Sequence, residues 1–138
     1  MTSVFFNLLH IYNKKDMEQI IIELLTIQNQ FRIYHWQTKS FARHSAFGGI
    51  YSDLDGLIDE FVEVCMGKHG RPNFEGQVSL ILSDLKELDP VHFCDTVIEF
   101  LIDMNSKYDK TTDSDLLNIR DEMMGNINRL KYLLTLNK

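Results

Sequence analysis

The sequence predicts an all-α protein whose four long helices fold into one bundle. Apolar residues recur at three- and four-residue steps through four stretches, and no run alternates apolar with polar residues as a half-buried strand does. Helix breakers are also confined. The two prolines are Pro72 and Pro90, and six of the seven glycines fall between residues 48 and 76.

The first helix is expected to open near Asn13 or Asp16 and to run to Thr38. Met17, Ile21, Leu24, Gln28, Phe31 and His35 form its buried stripe, widened by Ile20, Leu25 and Ile27. Lys39 to Arg43 is the expected turn. The second helix is expected from His44 to Met66, with its core face on Phe47, Ile50, Tyr51, Leu54, Leu57, Ile58, Phe61 and Cys65. Gly67 to Gly76 reads as a breaker-rich loop. A short helix is expected over Val78 to Leu88, stopped at Asp89-Pro90 because a residue before proline disfavours helical geometry. The third long helix then covers Val91 to Lys110, through Cys94, Val97, Ile98, Leu101, Asn105 and Tyr108. Thr112 or Asp113 is expected to cap the fourth, whose stripe is Leu116, Ile119, Met123, Ile127, Leu130 and Leu134.

An apolar fraction of 44% with 25% charged residues suits a single domain over residues 1–138. The formal charge of −6 weighs against a phosphate-binding surface, and Lys14-Lys15 is an isolated basic pair, so strong DNA binding is not expected. Residues 1–14 carry Val4, Phe5, Phe6, Leu8, Leu9 and Ile11. This stretch is too short to span a bilayer and has no charged start or cleavage site, so it is expected to dock on its own bundle or on a neighbour. Cys65 and Cys94 sit inside apolar helical patterns and are expected to be buried thiols, which suits the cytoplasm.

One pattern points at chemistry: His35-Trp36, His44, Asp59 and Glu63. Imidazole with carboxylate is a ligand set suited to iron, zinc or manganese. Each member also has a plainer reading. A histidine on a core stripe is usually a satisfied core histidine, Trp36 beside it is expected to pack, and a carboxylate pair on a helix is usually a solvated face. Asp59 and Glu63, at i and i+4, repel each other unless a cation sits between them. Distance adds a constraint. His44 and Asp59 are fifteen residues apart on one helix, about 22 Å, far beyond metal–ligand bonds of about 2 Å. A single ion therefore requires two copies of the second helix packed antiparallel. His35 and His44 of one chain then meet Asp59 and Glu63 of the other, and a two-fold axis repeats the site.

In these residues the chain resembles the Dps-like mini-ferritins. The resemblance rests on His-Trp ending the first helix, a histidine opening the second, and Asp-x-x-x-Glu fifteen positions on. Gly70-Arg71-Pro72 and Asp115-Leu116-Leu117 are similar to the family's turn and fourth-helix start. The resemblance implies a ferritin-like bundle assembled as a homo-oligomer, from a two-fold dimer up to a dodecameric cage. It also implies ferroxidase centres between subunits, with His35, His44, Asp59 and Glu63 as metal-binding and catalytic residues. Ferrous iron is then oxidised, typically by hydrogen peroxide, and stored. Trp36 is placed beside the site as an electron donor, and Asp55 as the group that orients a ligand or bound water. Asp109, Asp113 and Asp115 become candidates for an entry pore, although capping accounts for Asp113. Two departures stand out: the histidines are nine positions apart where the family usually has twelve, and the family's basic N-terminal tail is missing.

The segments QFRIYHWQTKSFARHSAFGGIY and DEFVEVCMGKHG are also similar to an uncharacterised ferritin-like family of large DNA viruses, which implies residence in a host cytoplasm or a virion. The rival to iron chemistry is a metal-free helical interaction or structural module of viral origin. A third reading is zinc or manganese held structurally at a dimer interface. None of the five histidines follows a glutamate by three positions, so an intrabundle di-iron centre is not expected. His69 and His92 are expected on the surface.

Overall fold

A computed structural model describes residues 14–136 of the chain, with side chains from residue 16. Four helices pack as a bundle: α1 (Lys14–Gln37), α2 (Phe41–His69), α3 (Pro90–Asp103) and α4 (Ser114–Leu133). Helix α2 is the spine, packed on α1 along one side and on α4 along the other, while α3 packs on α4. Residues 1–13, where docking is expected, lie outside the described residues.

The predicted stripes become the core. Met17, Leu24 and Phe31 of α1, Phe47, Leu54 and Phe61 of α2, and Leu116, Met123 and Ile127 of α4 are fully buried. One end is an aromatic cluster. Phe31 lies 6.4 Å from Phe47 and 5.2 Å from Phe93, and Tyr34 lies 5.4 Å from Phe47. Such pairs contribute about 0.5–1.5 kcal/mol each beyond the area they bury. Cys65 and Cys94 are buried free thiols, which burial pushes up to about 11 and about 12. No described helix is long and apolar enough to cross a membrane.

Four helix ends depart from the expectation, one of them the end of α2, which runs on through Gly67 to His69 before the loop. Helix α2 begins three residues early because Ser40 caps it, its hydroxyl accepting from the Arg43 N–H; the turn is only Thr38 to Ser40. Helix α3 ends at Asp103 and tightens into a 3₁₀ turn over Met104–Ser106, so Asn105 is exposed. The Arg120 guanidinium, reaching in from α4, donates to the Leu101 carbonyl at 2.7 Å and satisfies that terminus. Asp113 stands at the N-cap of α4 but accepts from the Asp109 N–H instead of capping its own helix.

The short helix expected over Val78 to Leu88 does not form; the segment is an irregular strap with one turn at residues 85–87. Side chains of α1 take the backbone groups that a helix would have used. The Gln30 amide donates to the Ser83 carbonyl and accepts from the Ser83 N–H, both at 2.8 Å. The Gln37 side-chain carbonyl accepts from the Leu85 N–H, and the Tyr34 hydroxyl donates to the Leu88 carbonyl. Nearer the start, Glu18 accepts from the Asn73 N–H. Burying Gln30 costs little only because both ends of its amide are bonded.

Candidate functional site

The residues singled out as ligands fall in two places, His35 and His44 where α1 meets the start of α2, and Asp59 and Glu63 farther along α2. At the turn end, the His35 and His44 rings stack with centroids 3.8 Å apart and planes 17° from parallel. Each Nδ1 meets the other residue's carbonyl: His35 Nδ1 to the His44 carbonyl at 2.7 Å, and His44 Nδ1 to the His35 carbonyl at 2.8 Å. A carbonyl only accepts, so each Nδ1 carries a proton, and in the neutral form of either ring the lone pair lies on Nε2. The His35 carbonyl belongs to the last turn of α1, where helices leave acceptors without partners. His44 therefore closes the end of α1 as well as pairing with His35.

Gly48 makes this possible. A Cβ at that position would stand 2.9 Å from His35 Cε1, closer than real contacts allow. Farther from the turn, the Arg32 guanidinium lies over the Tyr51 ring at 3.7 Å, and 5.6 Å from the Trp36 ring. Below it, the buried Gln28 donates to Asp55 Oδ1 at 3.1 Å. Asp55 is thus tied to Gln28 and not aimed at either histidine. Trp36 does not pack as expected: it is 65% exposed, as is Phe41 at 81%, on either side of the short turn.

The far end of the stripe differs. Asp59 and Glu63 are both exposed, as the plainer reading of a solvated carboxylate pair expects. The Glu63 carboxyl is raised above its ordinary range, first by hydrogen bonding to Asp59 and then by its negative charge. Among the described residues of one chain, no group of three His, Cys, Asp or Glu side chains stands close enough to hold a metal ion. The chain brings His35 to His44 and Asp59 to Glu63, and it does not bring the two pairs together.

The acids suggested for a pore have local partners. Lys68 Nζ lies 3.1 Å from Asp115 and 3.6 Å from Asp113, and donates to the Thr112 carbonyl. The N–H groups of Thr112 and Thr111 hold the Asp109 carboxyl below its ordinary range. His69 and His92 are exposed, as expected.

Spacing does not predict the roles of Gly48 and Arg32, and it places Tyr51 on the core stripe, where the structure has it half-buried beneath Arg32. Spacing contained a hint for Gly48, which follows His44 by one helical turn. Nothing in the pattern pointed to Arg32.

These observations define an all-α four-helix protein with an internally bonded histidine pair at one end of its longest helix and a repelling acid pair toward the other. The chain belongs to the DUF5856 family of unknown function, whose model matches residues 35–134, from the histidine pair to the end of α4. It is 30% identical over 116 residues to an uncharacterised 14.6 kDa protein from the mobD-ri intergenic region of Enterobacteria phage T4, covering 82% of this chain and 83% of the phage protein. Neither match links the chain to the mini-ferritins: the family is of unknown function and the relative is an uncharacterised phage protein. No solved structure matches.

Proposed function

We propose that this chain is a virus- or phage-type helical interaction module that pairs head to tail with a second copy through its α1–α2 face and needs no resident metal. The observation that carries this reading is the segregation of charge along α2. Phe41 to Ser52 holds Arg43 and His44 and no acid, whereas Asp53 to Glu63 holds five acids and no base. Antiparallel pairing sets each acid-free half against the partner's acidic half, a self-complementary two-fold arrangement that keeps like charges apart. Exposed Trp36 and Phe41 flank the turn and supply rigid aromatic anchors of the kind that dominate interfaces. The histidine pair then acts as a clasp that holds the turn in place.

Sizing by light scattering, with and without chelator, tests it. A dimer that survives chelation is expected, weakened at least tenfold by Glu60→Lys with Glu63→Lys and by added salt. A monomer at all concentrations overturns the reading.

A second reading uses the same pairing for iron, and the tautomers favour it. Each Nδ1–H is held by a carbonyl, which leaves Nε2 as the ligating atom of the neutral ring, the way ligating imidazoles are oriented. The repelling Asp59–Glu63 pair would neutralise ferrous iron, the substrate, and ferroxidase turnover would follow at two intersubunit sites; zinc or manganese fits the same donors. Larger assembly, up to a cage, belongs to this reading. Anaerobic ferrous titration separates the two: saturation near one or two ions per chain, lost in both His44→Ala and Asp59→Ala, supports iron. No binding by an intact dimer leaves the interaction module.

A further inference from the structure

We propose that the apolar segment from Val4 to Tyr12 seats in the groove between α1 and α3 of its own chain and closes the fourth side of the bundle. Three sides of the bundle are closely packed; the side between α1 and α3 is the loosest among the described residues. A groove of about 200 Å³ runs along it, lined by Glu23, Thr26 and Ile27 of α1 and by Phe93, Thr96, Val97 and Phe100 of α3. Its floor is apolar and buried at Ile27, Phe93 and Val97, while Phe100 is half-buried and Thr96 exposed at the rim.

The occupant follows from chain length and chemistry. Residues 4–12 are Val, Phe, Phe, Asn, Leu, Leu, His, Ile and Tyr, with no acid and no lysine or arginine. The described helix begins at Lys14, and Thr26 lies twelve residues along it, about 18 Å away. Nine to twelve residues extend to roughly 30–40 Å, so the segment reaches the groove after one reversal at the start of α1. Seating in the same chain is also an intramolecular event, favoured by high effective concentration over capture by a neighbour. Burying this segment removes apolar surface that would otherwise face water.

Disulfide trapping in the full-length chain tests the placement. Thr96→Cys is combined singly with Phe5→Cys, Leu8→Cys and Leu9→Cys, and Asn128→Cys on the exposed face of α4 replaces Thr96→Cys in the controls. The native thiols Cys65 and Cys94 are buried. Under mild oxidation at least one Thr96→Cys pair is expected to close within one chain, at least tenfold faster than its control. Equal rates with the control overturn the proposal, and so does a disulfide between chains, which would mean exchange of the segment. Separately, deletion of residues 2–12 is expected to lower the thermal midpoint by roughly 5 °C with helix content otherwise kept; an unchanged midpoint also overturns it.

Discussion

The turn end of α2 and its acidic stretch carry the same kinds of residue that metal sites use, yet one end is finished and the other is not. At the turn, every imidazole Nδ1 has a carbonyl, the rings stack, and Gly48 leaves room for them. Toward the far end, Asp59 and Glu63 face water and press against each other's charge. One chain suffices for the histidines. The acids are left with an electrostatic cost that a cation, whether side chain or metal, would relieve.

The largest expected effect comes from filling the space at the finished end. Gly48→Ala forces the His35 ring off its bond to the His44 carbonyl and is expected to cost about 1–3 kcal/mol in urea unfolding. The same change at Gly56, where an added Cβ meets nothing within 4 Å, is expected to stabilise by about 0.4–1 kcal/mol. If both changes stabilise, the close approach at Gly48 carries no weight.

Next is His44→Ala, which leaves the His35 carbonyl at the end of α1 unbonded and removes the stacked partner. A loss of about 1–2 kcal/mol is expected, with amide exchange in Thr38 to Ser40 accelerated while the α4 amides stay protected.

The smallest effect belongs to the acid end. Because the Glu63 carboxyl is raised, the folded chain holds that proton more tightly than the unfolded chain does. The repulsion is therefore felt above the carboxylate range and fades as pH falls through it. Glu63→Gln is expected to raise the thermal midpoint slightly at pH 7, and the gain should vanish by about pH 3. A gain that is independent of pH would show that Asp59 and Glu63 do not sense one another.

The contrast also shows what periodicity can reach. The core stripes of α1, α2 and α4, the buried thiols and the outward acid pair follow from spacing along one helix, because burial there is decided by the helix's own geometry. The strap and the end of α3 were not legible, since both are decided by side chains from elsewhere. Val78, Ile81, Leu82 and Leu85 have helical spacing, but Gln30 and Gln37 of α1 claim the backbone. Arg120 ends α3 from nineteen residues away. His35 and His44 were legible as a pair, though not as each other's hydrogen-bond donors, because the turn between them is shorter than spacing suggested.

The Gln30 amide binds Ser83 as a neighbouring peptide would, so the strap is pinned at a fixed point on the outside of α1. Asn73 is pinned near the other end by Glu18. Between those two fastenings the chain is exposed around Gly76-Gln77, and lengthening a loop whose ends are already held adds little closure entropy. An epitope tag or fluorescent reporter inserted there should leave the bundle intact, giving a handle for tracking the protein in cells without burdening either terminus.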